Sequence, residues 1–189
     1  MNIMKTKNRN LTGYFVVIFL LLANVGLSQE YKPSKQEKKE QRKAALAANF
    51  YSQDTLLVVR KYVLQADYLQ NKIGDMVSVS STLNFIKVDG EKAILQTGSD
   101  FVAGYNGVGG VTAEGSVSNY EIHRNMKALS HRVTFIIMTN IGTFNIEMNI
   151  LADNTASATI RGNTSGMLTW RGNLAAVYNA KIFKGPNSY

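Results

Sequence analysis

The chain has 189 residues, 45% of them hydrophobic, a formal net charge of +8 and no cysteine. The length suits one domain, and the lack of thiols excludes disulfides, cysteine nucleophiles and thiolate zinc sites. The charge does not mark a nucleic-acid binder: Lys5, Lys7 and Arg9 supply three positive charges, residues 30–45 hold six basic against three acidic residues, and residues 46–189 only twelve against ten. Such a binder gathers Lys and Arg on a folded face, so no nucleic-acid partner is expected.

Residues 1–28 read as a signal peptide. Met1–Asn10 is a positive lead, Phe15–Leu22 is the centre of an apolar run, and Gly26-Leu27-Ser28 offers the small-x-small pattern of a cleavage site. A spanning helix needs about 20 apolar residues and this run is shorter, so no stable membrane span is expected after cleavage. The alternative is an uncleaved N-terminal anchor. The expected location is outside the cytoplasm, in the periplasm or outside the cell.

Residues 29–43 form a charged lead-in without an apolar stripe. Ser34 and Glu37 have the spacing of a capping box. The spacing predicts a helix from about Ser34 to about Arg60, with a possible break near Ser52. Leu46, Phe50 and Leu57 share one face, and that half should lie against a sheet. The Lys38-Lys39 and Arg42-Lys43 pairs read as a solvated face, because the apolar face beside them is too thin for a membrane contact.

From Tyr62 onward the pattern is β. Tyr62, Leu64, Ala66 and Tyr68 alternate with Val63, Gln65, Asp67 and Leu69. Gly74-Asp75 marks a turn. Leu83–Val88 and Lys92–Thr97 flank Asp89-Gly90, a strong hairpin signal. A glycine-rich loop, Ser99–Gly115, precedes a strand over Val117–Met126 with Tyr120 and Ile122 inward. His131–Ile150 is the longest β stretch, turning at Asn140-Ile141-Gly142. Phe144, Ile146, Met148 and Ile150 face one side there, whereas Asn145, Glu147 and Asn149 face the other. The preceding strand is apolar on both sides, which suggests cover on both faces. Asp153-Asn154 turns the chain into Ala156–Ile160. Residues 163–166 turn it into Met167–Arg171, and a last strand is expected over Ala176–Phe183. Residues 44–185 then make the helix and barrel domain, and 186–189 a frayed tail.

Evenly spaced strands joined by short turns predict a mainly β fold. The expectation is a single antiparallel up-and-down meander closing into a small barrel of eight or nine strands, preceded by one N-terminal helix. Closure removes the exposed edges that an open meander leaves. Phe85, Phe135, Phe144, Trp170 and Tyr178 form the expected inward set. A two-layer sandwich is the structural alternative.

Tyr62–Tyr68, the Asn84-Phe-Ile-Lys-Val-Asp-Gly90 hairpin, Gly104–Gly110 and Ser118-Asn-Tyr-Glu121 together resemble one family. It is the domain-of-unknown-function family numbered 4251, found in exported proteins of Bacteroidota. The resemblance covers about Phe50 to Gly185. It implies a small secreted or periplasmic lipocalin-like β domain with no assigned activity, and it brings no catalytic residues. The helix over Ala47–Asp54 is longer than that pattern.

The residues nominate no catalytic, cofactor or metal site. His123 and His131 lie on neighbouring strands without a third ligand, and read as surface or partly buried structural histidines. No Gly-x-Ser-x-Gly elbow is present. Gly104–Gly110 lacks the Lys and the helix of a phosphate loop. Long loops of barrels line the mouth, so Phe101, Tyr105 and Trp170 are the candidate ligand patch. The expected partner is a small apolar ligand, a lipid or peptide, or an envelope protein. Three readings stand: a non-enzymatic binding barrel, a structural or interaction module with a filled interior, and an envelope-carbohydrate hydrolase with two carboxyls in one cleft.

Overall fold

The computed structural model describes residues 33–99, 109–163 and 166–188. The leader expected over residues 1–28, and Phe101 and Tyr105, lie outside the described residues. The packing below belongs to the unit Gln41–Tyr189.

Among the described residues there is one helix, α1 (Lys35–Val58), followed by nine strands: β1 (Lys61–Asn71), β2 (Met76–Ser78), β3 (Phe85–Asp89), β4 (Lys92–Gln96), β5 (Thr112–Asn125), β6 (Ser130–Thr139), β7 (Gly142–Leu151), β8 (Thr155–Arg161) and β9 (Met167–Ala176). Each strand from β3 onward pairs antiparallel with the next, and β9 returns to pair with β1. The wall is therefore a closed barrel of β1 and β3–β9. The short β2 is an extra strand on the far half of β1.

Local chemistry sets the turns. Gly142, with φ +143°, closes the β6–β7 hairpin where its register runs without a break from Thr139↔Gly142 to Ser130↔Leu151. Asp153 Oδ1 accepts from the Thr155 amide at 3.0 Å and Asn154 takes a positive φ, which turns β7 into β8. That amide also holds the Asp153 carboxyl below the usual carboxylate range. At closure the β1–β9 register slips between Ala66 and Tyr68. There the chains approach so closely that a Cβ on Gly172 would lie 1.9 Å from the Gln65 carbonyl oxygen.

The interior holds Tyr62, Leu64, Ile86, Val88, Val133, Phe135, Ile137, Ile146, Met148, Ile150 and Trp170, all buried. Tyr120, Ile122 and Phe144 pack against them, as their alternation predicts. The β6 strand is covered on one face only, since Ile136 is half-buried and Met138 is 48% exposed.

Several expectations are corrected. The helix runs unbroken through Ser52. Its Ser34–Glu37 cap forms as predicted, with both reciprocal bonds present. Strand β5 starts at Thr112, so Gly115 belongs to a strand and not to the glycine-rich loop. No strand spans Ala176–Phe183. After β9 the chain turns away, and Tyr178 is 83% exposed rather than inward.

The segment that follows is a strap. The Gln65 amide donates to the Lys181 carbonyl, and the Phe183 amide to the Thr82 carbonyl. Gln96, wholly buried, donates to the Leu83 and Phe183 carbonyls and accepts from the Gly185 amide and the Thr112 hydroxyl. Ser188 exchanges two bonds with the Thr112 backbone, and its carbonyl accepts from Asn140. The tail through Ser188 is thus tied down rather than frayed. Phe85 is buried, but on the outer face of the wall. It pairs with Gln65 and Gln96, opposite in pleat to the inward Leu64, Ile86 and Leu95.

Candidate binding site

The barrel has two unlike ends. The lower end carries the start of β1 and the turns at Asp89-Gly90, 126–129 and 152–154. The upper end carries the β1–β2 turn, residues 97–99 and 109–111, the turn at Asn140-Ile141, and residues 162, 163 and 166.

Helix α1 closes the lower end. Its face buries Phe50, Gln53 and Leu57, and Leu57 enters the interior cluster. Polar groups fix the helix in place. Asn49 and Gln53 donate to the Ala152 and Leu151 carbonyls at 3.0 and 2.8 Å, Gln53 also donates to Asn154, and Tyr120 donates to the Leu57 carbonyl at 2.9 Å. Arg60, at φ +53° just past the helix, lays its guanidinium 4.5 Å from the Tyr120 ring centre. Burial raises the Tyr120 pKa, and burial beside Tyr120 raises that of Tyr62 well above the tyrosine range.

His131 sits under the helix, 1% exposed, stacked on Phe50 with ring centres 4.2 Å apart. It is therefore deeper than a partly buried residue. Its Nε2 lies 3.3 Å from Asp54, which Arg124 also holds. Burial lowers the His131 pKa, Asp54 opposes that, and Arg124 adds to it. His123 is on the outside, 3.5 Å from Glu121. Among the described residues no three His, Asp or Glu side chains converge as metal ligands. No described helix is long and apolar enough to cross a membrane.

The upper end opens into a recess of about 450 Å³. Leu95, Ala113, Phe144, Ile160, Leu168 and Trp170 line its walls from β4, β5, β7, β8 and β9, and Thr97, Val111, Ile141, Gly162, Gly166 and Met167 form its rim. None of these side chains carries a charge. The volume falls in the range of small-molecule sites, and such sites are mostly apolar with few polar groups. Trp170, the chain's one tryptophan, is fully buried among Leu69 and Ala158, its cross-strand partners. Its indole N–H has no acceptor among the described residues.

Of the three residues nominated from sequence, the structure places Trp170 in the recess. Phe101 and Tyr105 belong to the stretch outside the described residues. Sequence reasoning missed Phe144 as a recess residue, having read it only as core, and missed Ile141 and Gly162. The signal for Gly162 was its place beside the predicted 163–166 turn, next to Ile160 on an inward-facing strand.

Two carboxylates also share a recess, of about 280 Å³, on the outer wall. Glu121 and Glu147 flank Thr134 in register there, and Glu147 is engaged by Arg132.

Among the described residues the chain is a closed antiparallel barrel, covered by a helix at one end and with an apolar recess at the other. Residues 44–174 match the family model described as "Domain of unknown function (DUF4251)", and the chain belongs to that family. It is similar to the crystal structure of a DUF4251 family protein from Bacteroides eggerthii, with a TM-score of 0.62 and 28% identity over 74% of this chain and 95% of that one. No curated protein matches the chain.

Proposed function

We infer that this chain is an exported, non-enzymatic binding domain of the cell envelope that holds a small apolar molecule in the upper recess. One observation carries the reading: among the described residues, buried apolar side chains run from Leu57 on the helix to Trp170, and beyond Trp170 apolar side chains from five strands line a recess of about 450 Å³. Apolar surface left in water favours whatever removes it from water. The leader-like residues 1–28 support export.

Gly162 supplies the test. A Cβ there would point at the Phe144 ring, 3.7 Å away, an ordinary contact in a backbone conformation any residue adopts. Gly162→Leu therefore fills the recess from its rim. The neutral probe N-phenyl-1-naphthylamine, titrated against Trp170 emission, should bind saturably at one site. Gly162→Leu should weaken that binding about tenfold or more. Native mass spectrometry of the exported protein should show a bound apolar species. Absence of saturable binding, or equal binding by the variant, would overturn the reading and favour a module whose interior serves only as core.

A further inference from the structure

The C-terminal strap ends beside the recess. The β5–β6 register stops at Gly115↔Thr139, so Thr112–Glu114 run on past the end of β6. Ser188 takes the place of the missing neighbour there. Its amide donates to the Thr112 carbonyl at 2.9 Å, its hydroxyl accepts the Thr112 amide at 3.1 Å, and its carbonyl accepts from Asn140 Nδ2 at 3.1 Å. One residue thus bridges the start of β5 to the β6–β7 turn. Both anchors adjoin the recess: Val111 and Ala113 flank Thr112, Ile141 follows Asn140, and all three line it.

The bridge is lightly held. No apolar side chain of residues 177–188 is buried, and Phe183 is 60% exposed. The hold rests instead on hydrogen bonds and on Glu114, which takes the Lys184 ammonium and the Asn187 amide. Water competes for each such bond, so each shifts an equilibrium by only about fivefold. The closed position also carries a cost. Asn187 Oδ1 is buried with no donor among the described residues, and it would gain one from water on opening. Behind it the strap is firmly anchored: Gln96, wholly buried, donates to the Phe183 carbonyl and accepts the Gly185 amide. The barrel does not depend on the strap for closure, since β1 and β9 already seal the wall. Residues 186–188 are therefore a short flap, fixed at Gly185 and latched at its far end by bonds that open locally.

We propose that residues 186–188 are a gate on the recess, and that an apolar ligand enters and leaves when Ser188 lifts from Thr112 and Asn140. The proposal rests on the binding reading above and adds a route to it. With Ser188 lifted, Thr112–Glu114 have no neighbour on their β6 side among the described residues, and the recess opens between Ala113 and Ile141. A gate of this kind acts on rates. If ligand passes only through the open form, a weaker latch raises association and dissociation by the same factor and leaves Kd where it was. A residue that merely shapes the recess changes Kd.

Two variants loosen the latch without touching the lining. Asn140→Ala removes the bond to the Ser188 carbonyl, and Ser188→Ala removes the acceptor of the Thr112 amide. Stopped-flow mixing with N-phenyl-1-naphthylamine, followed through Trp170 emission, should show both rate constants raised about fivefold in each variant, with Kd within about twofold of the unsubstituted protein. Amide exchange by NMR on the ligand-free protein is a second, independent measurement. The Thr112 and Ser188 amides should exchange about a hundredfold or more faster than the ladder amides of β6, and faster again in Asn140→Ala. Unchanged rate constants in both variants, a change in Kd carried by dissociation alone, or Thr112 and Ser188 amides as slow as those of β6 would overturn the gate. Absence of saturable probe binding would remove the binding reading and the gate with it. Saturable binding with a Ser188 that opens only on global unfolding would remove the gate alone.

Discussion

The two ends of this barrel are built from the same strands and solve the same problem differently. At the lower end, apolar interior is covered by α1, and polar groups fix the helix there: the Asn49 and Gln53 amides donate to the turns of the wall and the Leu57 carbonyl accepts from Tyr120. At the upper end, Phe144, Ile160 and Leu168 face a recess with no charged lining. The lesson is that burial at one end lends the stability that lets apolar surface line a recess at the other, among the described residues.

Paired truncations would break that comparison most directly. Leu57→Ala leaves a cavity under the helix and should cost about 2–5 kcal/mol in urea unfolding. Leu168→Ala at the recess wall removes a half-buried side chain that already borders open space, and should cost under about 1.5 kcal/mol. Equal losses would erase the distinction between the ends. A middle-sized effect is expected at the strap. Gln96→Ala leaves the Leu83 and Phe183 carbonyls and the Gly185 amide without their partner, for a cost of about 1–3 kcal/mol.

The smallest effect is a pH dependence confined to the lower end. The folded His131 pKa lies below its unfolded value, chiefly through burial, with Arg124 adding to the shift and Asp54 opposing it. The unfolded chain therefore binds the proton more readily. Stability is fully present above the unfolded imidazole value of about 6.5 and falls as the pH drops below it. Melting temperature should decline between pH 7.5 and 5, and His131→Phe should flatten that slope while keeping a ring against Phe50. An unchanged slope would assign the dependence to other groups.

Much of the fold was legible because it is local. The β6–β7 hairpin announces itself through alternation and Gly142, and β3–β4 through Asp89-Gly90. The helix shows in Ser34–Glu37 and in the Phe50 and Leu57 spacing. What was not legible is non-local. Gln65 and Gln96 alternate like any strand residues, and nothing near them says that their amides would hold a strap 116 and 87 residues on in the chain. Ala176–Phe183 has strand-like composition, yet the wall is already sealed at Ala176, leaving that segment no partner to pair with. His131 reads as an ordinary strand histidine until Phe50 stacks on it. In the candidate site, Trp170 was legible as a large aromatic on an inward strand. The recess itself was not, because an unfilled space depends on five strands at once.

The first strand of the wall finds its closing neighbour in the last one: Tyr62 meets Ala176, and Asn71 meets Leu168. A growing polypeptide therefore cannot seal itself until its final strand has been synthesised, and the whole intervening meander must wait with one seam unpaired. Such long-range closure slows folding and keeps the early chain pliable. Moving the termini to the Asp89-Gly90 turn, with the C-terminal strap joined to α1, would shift that seam to β3 and β4 and not remove it, so refolding should keep about the same rate.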